Sequence, residues 1–307
     1  MDLPRTGVLL SKNCFVWSNS GLLKVDEIRI GDQILCVDHI GEISAFLIEE
    51  TPKLHGPGKV VEIITNNGRT YLPLEGEIFV RGGKKKISDI EKNDEIMVLG
   101  KKEINSIKSI LDSSIDDRLG LDEIESAAFA SYEFKVKGDD ETVFRVKSGI
   151  EEFIQNSSIL QEKYDATIMH QHDQVIIKSK TFAYISEYFI EKKIPEILRR
   201  SRYSVMKAYF DQYVYKKIKV DIENLDLIVF LQIMALFENK SVKKKIRGHD
   251  VTMIISDEEV QSRNFSRIIN HSKSLAPVFR IPMNSNWDAI IDNVLVGKHL
   301  ISYNLES

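Results

Sequence analysis

Apolar and polar positions follow two different periods along the chain, and the change between them divides it. Over residues 1–100 short apolar runs recur, among them "CFVW", "QILCVD", "KVVEIIT", "RTYLPL", "EIFVRG" and "EIMVL". Turn signals such as "NSG", "HIG", "NNG" and "RGG" stand between them, the pattern of successive half-buried strands. In "TNNGRTY" an Asn-Gly pair supplies the positive φ angles of a tight hairpin. From about 121 to 275 apolar residues recur instead at three- and four-residue spacing. "LDEIESAAFASYEF", "GIEEFIQNSSILQEKY", "KTFAYISEYFIEKK", "SVMKAYFDQYVYKK" and "LDLIVFLQIMALFEN" are each long enough for a helix. The strand-like "ETVFRVKS" and the hairpin-like "ATIMHQHDQVIIKS" lie among them. "APVFRIPMN" and "AIIDNVLVG" then return to the strand pattern. The predicted organisation is a β domain interrupted by an α+β domain, with the last strands completing the first fold.

Part of the β half occurs twice. "KVDEIRIGDQILCVD" at 24–38 parallels "KISDIEKNDEIMVLG" at 86–100, each a short apolar turn, an Asp step and a strand. Gly31-Asp32 is matched by Asn93-Asp94, and Gly and Asn both tolerate the left-handed backbone such a turn needs. Two copies of one unit predict a pseudo-twofold β fold.

Composition narrows the picture further. At 307 residues the chain is long enough for two cores. A net charge of −4 excludes a chain coated in positive charge, but leaves room for a local basic surface. Cys14 and Cys36 are too few for a disulfide framework or a zinc site, so a reduced, intracellular setting (cytoplasm or nucleus) is expected. No apolar run approaches the roughly 20 residues of a membrane span, and "MDLPRTGVLLSKN" lacks the apolar core of a secretory leader.

"CFVWSNSGLLKVDEIRIGDQILCVD" has an apolar strand, a Gly turn, an apolar-acidic-apolar step, Gly-Asp and another strand. It resembles the N-terminal block of the Hint fold of inteins. "VVEIITNNGRTYLPLEGEIFV" resembles the second block, and "VFRIPMNSNWDAIIDNVLVGK" the closing blocks. The resemblance implies where splicing chemistry would sit, and this sequence departs from it at each place. The Cys or Ser that attacks the preceding carbonyl is replaced by Leu9, which has no nucleophile. Cys14 or Ser11 would serve only in a register that breaks the strand alignment. The Thr-x-x-His pair becomes Leu74 and Glu77, and a carboxylate ionised near pH 7 is a poor proton donor. The closing His-Asn becomes Gly297-Lys298, with His299 displaced and no Asn before Asn304. Splicing is therefore not expected, and a chain opening on its own Met1 reads as free-standing.

The central segment resembles a LAGLIDADG homing endonuclease. "SAAFASYEF" at 126–134 falls where its first signature helix belongs. "KKIPEIL" followed by "VMKAYFDQYV" resembles the basic Ile-Pro segment and the second helix, and "LDLIVFLQIMALF" the helix after it. Such enzymes end each signature helix in an acid, and the pair holds divalent metal that activates water. Here the first acid is Glu133, an acceptable ligand, and the second position is Tyr213, which offers no carboxylate. Asp211 lies roughly 200° around the helix from Tyr213. Glu238 would serve only if a different helix carried the signature. Phe134 and Val214 replace the small residues that let the helices approach. Weak or absent cleavage is expected, with no cofactor unless residual nuclease activity takes Mg²⁺.

Residues 192–219 carry Lys192, Lys193, Arg199, Arg200, Arg202, Lys207, Lys216, Lys217 and Lys219 against Glu196 and Asp211, with tyrosines interleaved. Lys243, Lys244, Lys245 and Arg247 follow. Such clusters suit the phosphates of double-stranded DNA. The competing reading makes them solvated helix faces and loop tips. His170 and His172 in "MHQHD" share a strand face and could hold a metal, although no third ligand is in view. "GKKK" at 83–86 reads as a solvated turn, and "VGK" lacks the rest of a P-loop.

The expected architecture is a two-domain chain. An all-β Hint-type pseudo-twofold fold (1–105 and 276–307) is interrupted by an α+β LAGLIDADG-like domain (106–275). The expected function is that of a monomeric, intein-derived DNA-binding protein without splicing and with weak or no nuclease activity. Two alternatives remain: an active site-specific endonuclease using Glu133 and an unaligned second carboxylate, and a protein-interaction scaffold.

Overall fold

Strands occupy both ends of the chain and the helices gather in the middle, as the two periods require. The structure, a computed structural model, describes residues 7–12, 14–37, 42–65, 68–113, 122–146, 150–190, 196–221, 224–247, 249–257, 265–282, 288–291 and 294–296. Elements are numbered in chain order. The first are β1 (Gly7–Ser11), β2 (Phe15–Ser18), β3 (Gly21–Lys24), β4 (Gln33–Val37) and β5 (Ile43–Leu47). Then come β6 (Lys53–Thr65), β7 (Gly68–Pro73), β8 (Glu77–Val80), β9 (Gly83–Lys86), β10 (Glu95–Met97) and α1 (Lys101–Ser113). The middle holds α2 (Glu123–Ser131), β11 (Glu133–Lys137), β12 (Glu141–Arg145), α3 (Ile150–Tyr164), β13 (Thr167–Gln171) and β14 (Gln174–Lys178). It continues through α4 (Lys180–Ile190), α5 (Glu196–Arg199), α6 (Tyr203–Asp211), β15 (Lys217–Asp221) and α7 (Leu225–Phe237). β16 (Ser241–Arg247), β17 (Asp250–Ser256), β18 (Phe265–Pro282), β19 (Asp288–Ile291) and β20 (Val294–Val296) close the chain. Two compact units result. One comprises Met1–Asp116, Ala235–Ser241 and Asp257–Ser307; the other comprises Asp117–Met234 and Val242–Ser256.

The first unit is mostly β. Its main sheet runs β3-β2-β4-β19-β20-β8-β10-β18-β6-β7, with β1 added to β18, β5 to β4 and β9 to β8. The sequence repeat becomes a structural one at a constant offset. The β2–β3 hairpin, the 3-10 turn Val25–Glu27 and β4 match the β8–β9 hairpin, the 3-10 turn Ile87–Asp89 and β10. Val25 and Ile28 are buried, as are Ile87 and Ile90. Gly31 has φ +93° and Asn93 φ +83°, the left-handed backbone expected of both. In the first copy Asp32 accepts the Arg29 N–H at 2.8 Å, and in the second Asp94 accepts that of Glu91 at 2.7 Å. Each turn also clasps a fully buried isoleucine by two backbone hydrogen bonds. Ile48 lies between Gly31 and Asp32, and Ile268 between Asn93 and Asp94. Apolar side chains from both copies, Val16, Ile34 and Cys36 with Ile78, Ile96 and Val98, share one core.

Two features of this unit were not expected. α1 buries Ile104, Ile107 and Leu111 and is capped where Glu103 accepts the Gly100 N–H at 3.0 Å. Ile104, Ile107 and Leu111 stand at three- and four-residue spacing, so the helical stripe was present in the sequence, short and flanked by charges. β18 begins at Phe265, not at 276, and pairs with β6 along most of the length of β6. Its polar start, "SRIINHSKS", hid it. Trp17 on β2 is fully buried and stacks on Phe237 of the same unit, ring centroids 4.7 Å apart.

The second unit holds two smaller sheets, β11-β12-β14-β13 and β15-β17-β16. α2 starts at a capping box in which Asp122 and Glu125 each accept the other's N–H, at 2.8 and 2.7 Å. It packs along α6. The run β12–α3–β13–β14 is repeated as β15–α7–β16–β17, with the same spatial order of strands. α2 precedes the first run and α6 the second. β11 has no counterpart in the second half among the described residues. After α6 the chain turns at Tyr213, touches Ile255 through Val214 and enters β15. Here the helical reading of "LDEIESAAFASYEF" is corrected. Tyr132 ends α2 in extended conformation and Glu133 opens β11, because alternate apolar residues then pair Phe134 with Phe144.

Candidate functional site

Of the described positions where splicing chemistry was expected, Leu9 and Leu74 are packed among apolar residues. Leu9 is 6% exposed on β1, opposite Arg280. Leu74 packs against the main core, and Glu77 opens β8 opposite Lys86. Cys14 is buried and its thiol donates to the Tyr71 carbonyl, 2.6 Å away. Gly297 and Lys298 lie outside the described residues. β20, the strand that leads to them, pairs Val296 with Ile78.

The C-terminal ends of α2 and α6 meet without an acid pair. The Ser131 hydroxyl, at the end of α2, donates to the Gln212 side-chain oxygen just past α6, at 2.6 Å. Glu133 lies beyond this contact with 79% of its side chain exposed and Arg145 4.0 Å away. The Tyr213 hydroxyl donates to that of Tyr209 at 2.9 Å. Burial pushes both phenols above their ordinary range, so both stay neutral. Asp211 is held by Lys207 one turn back on α6. Glu238, the other possible second acid, accepts from Lys108 at 2.8 Å in the first unit. Among the described residues no group of three His, Cys, Asp or Glu side chains could hold a metal.

The paired-histidine reading is also corrected. His172 sits in the β13–β14 turn at φ +52°, and the His170 ring is bonded to the His172 carbonyl at 2.7 Å. The turn spends the strand alternation that would have put both rings on one face. "GKKK" forms β9, where Lys85 pairs with Asp94 at 2.8 Å and Lys84 lies over the Phe79 ring.

The basic residues divide. Lys192 and Lys193 lie outside the described residues. Arg199 is 2% exposed, which removes it from any surface, and Arg200 is half-buried. Arg202 is exposed just before α6, and Lys216 just before β15. Lys217 and Lys219 are exposed on β15, and Lys243, Lys245 and Arg247 on β16, with Lys244 half-buried between them. β17 lies between β15 and β16, so these five cations stand on one sheet in two rows about 10 Å apart. Ile218, Val220, Val251, Met253 and Ile255 fill its buried face. Lys217, Lys219, Lys245 and Arg247 have no ion-pair partner among the described residues. Sequence spacing separated the two clusters by some 25 residues; the pairing of β15 and β16 to a shared strand joins them.

No protein-family model matches the chain, and no curated protein matches it. The solved structures it resembles are inteins and an intein-like domain. A DnaX mini intein from Spirulina platensis is 15% identical with a TM-score of 0.26, over 29% of this chain and 66% of that one. A bacterial intein-like domain from Clostridium thermocellum is 11% identical with a TM-score of 0.27, over 29% and 66%. The gp41-1 intein is 17% identical with a TM-score of 0.24, over 30% and 68%. In each case the likeness covers less than a third of this chain. No described helix is long and apolar enough to cross a membrane.

Proposed function

We propose that the chain is an intein-related protein that binds double-stranded DNA, does not splice, and cleaves DNA weakly or not at all. The observation that carries the reading is the two-row cationic face of the β15-β17-β16 sheet. Lys217, Lys219, Lys243, Lys245 and Arg247 stand exposed on a rigid sheet in a protein whose net charge is −4. Concentrating cations on one face against the overall sign favours a polyanion. Rows about 10 Å apart are on the scale of a major groove about 12 Å wide. The repeated helix-led halves, with α2 packed on α6, support the LAGLIDADG-like reading of this unit.

The chemistry argues against catalysis. Leu9 offers no splicing nucleophile and Tyr213 no carboxylate for a metal, and a carboxylate at Glu77 is a poor proton donor. Mg²⁺ would find one exposed carboxylate, Glu133, already beside Arg145. The reading is tested by fluorescence anisotropy with a labelled 30-base-pair mixed-sequence duplex, and by incubating plasmid DNA with Mg²⁺. Saturable, salt-sensitive binding without strand breaks is expected. Absence of binding at low salt would leave the protein-interaction scaffold as the better account, and Glu133-dependent double-strand breaks would establish the endonuclease.

A further inference from the structure

We infer that the DNA contact is made by the three-stranded half of the second unit alone, while the four-stranded half is silenced by its own carboxylates. This rests on the DNA reading above. The two halves share a topology but not a charge pattern.

On the four-stranded sheet two of the three outer rows carry charge of both signs. Glu133 stands opposite Arg145, and Lys137 opposite Glu141, which in turn is opposite Lys178. Arg145 binds Asp173 at 3.2 Å, and Lys178 binds Glu141 at 3.2 Å with Asp140 at 3.9 Å. The remaining cation, Lys135, shares its row with Val143, Ile176 and Met169. Lys135, Lys137, Arg145 and Lys178 thus face Glu133, Asp139, Asp140, Glu141 and Asp173, four cations against five acids. A phosphate arriving there would have to displace carboxylates already in place.

The three-stranded sheet is organised differently. Lys217 is opposite Ile254 and Lys219 opposite Thr252, so neither lysine meets an acid across the strand. Its acids, Asp221 and Asp250, oppose each other at one end of the sheet. Five cations therefore face two acids, and the acids repel phosphate from one end only, which directs a duplex toward the Lys217 end. Among the described residues no strand corresponds to β11, which adds to the contrast. In the first half that strand introduces Glu133, whereas in the second the chain reaches β15 directly, with Tyr215, Lys216 and Lys217 exposed.

Salt dependence separates the possibilities, because each phosphate neutralised contributes about −0.9 to the slope of log K against log salt. Five cations predict a slope of about −4.5, equivalent to about 500-fold weaker binding between 50 and 200 mM KCl. Contact by both halves would bring in four more and a slope near −8. The experiment is anisotropy with the 30-base-pair duplex on the full chain and two triple variants. Lys217→Gln with Lys219→Gln and Lys245→Gln should flatten the slope to about −1.8, leaving about a 12-fold salt effect. Lys135→Gln with Lys137→Gln and Lys178→Gln should leave it unchanged. All six are surface lysines, so both proteins remain folded. A parent slope near −8, or equal flattening by the two variants, overturns the one-sided contact while leaving DNA binding intact. A parent that fails to bind at 20 mM KCl overturns the DNA reading itself.

Discussion

Replacing Asp94 with alanine should destabilise the first unit by about 2 kcal/mol, an estimate built from its contacts. One carboxylate oxygen receives the Glu91 N–H at 2.7 Å and the Lys85 ammonium at 2.8 Å. A hydrogen bond to a charged acceptor contributes about 1.5–3 kcal/mol, and Glu91 is exposed enough for water to replace part of it, which favours the lower end. The Lys85 contact is partly solvated, with 28% and 22% of the two side chains exposed, and adds the minor part. Burial alone would raise the Asp94 carboxyl, but Lys85 and the Glu91 N–H outweigh it and hold it below its ordinary value of 3.8. Because the folded pKa is depressed, this stabilisation is present above pH 3.8 and is lost as pH falls through the folded value. Trp17 is fully buried in the first unit, so its fluorescence in a Trp287→Phe background follows the unfolding of that unit in urea. With a urea slope of about 2 kcal/mol per molar, Asp94→Ala should lower the midpoint by about 1 M at pH 7, and by less near pH 3. Lys85→Met should lower it by much less. A loss below about 0.5 kcal/mol for Asp94→Ala, or an equal loss for Lys85→Met, would refute the assignment of the turn's stability to the backbone hydrogen bond.

Other outcomes follow from single contacts. Glu125 is fully buried and accepts from Lys163 at 2.9 Å, so Lys163→Met should cost about 3–5 kcal/mol, read from exchange of the α2 amides. Burial raises the Glu125 carboxyl above its ordinary 4.5 against the pull of Tyr164 and Lys163. With a raised folded pKa, the neutral form's advantage is present below pH 4.5 and lost as pH rises, so the Lys163→Met deficit should grow from pH 5 to pH 8. Gly58→Ala places a Cβ 2.7 Å from a Val278 methyl and should destabilise the β6–β18 pairing by about 1–3 kcal/mol, measured by urea unfolding. Glu133→Gln should change neither plasmid integrity in Mg²⁺ nor the urea midpoint, because its side chain is largely exposed and no second metal ligand stands beside it.

Legibility in the sequence varied with the physical origin of each feature. The repeat was readable because Gly31 and Asn93 must both adopt positive φ, which few residues tolerate. The β13–β14 hairpin and α3, α4, α6 and α7 were readable from apolar period. β18 was not, since its first half pairs through backbone groups while Asn270, Ser272, Lys273 and Ser274 remain exposed. Of the basic residues, Arg199 looked like any other surface cation, because charge alone does not report that a side chain is 2% exposed. The joining of β15 and β16 was invisible for another reason: it depends on a third strand, β17, that carries no lysine or arginine.

The positions where chemistry is missing are not neutral gaps in the packing. Leu9 is almost fully buried, and Leu74, half-buried, packs against the main core. Burying a leucine contributes roughly 1.5–3 kcal/mol, whereas a hydroxyl or imidazole in the same surroundings needs a hydrogen-bond partner to avoid a penalty of similar size. Tyr213 similarly extends an aromatic group through Tyr209 to Phe189 and Phe230. A carboxylate there would have to keep its charge beside phenols already pushed toward neutrality by burial. At Leu9, Leu74 and Tyr213 a packing group therefore stands where the resemblance implies a reactive one. This explains how the apolar periodicity of both units stays intact while the reactive residues do not. The exposed cations of β15 and β16 gain nothing from packing, so the same selection for stability does not account for them. Their concentration on one sheet is the observation on which the proposed polyanionic partner rests.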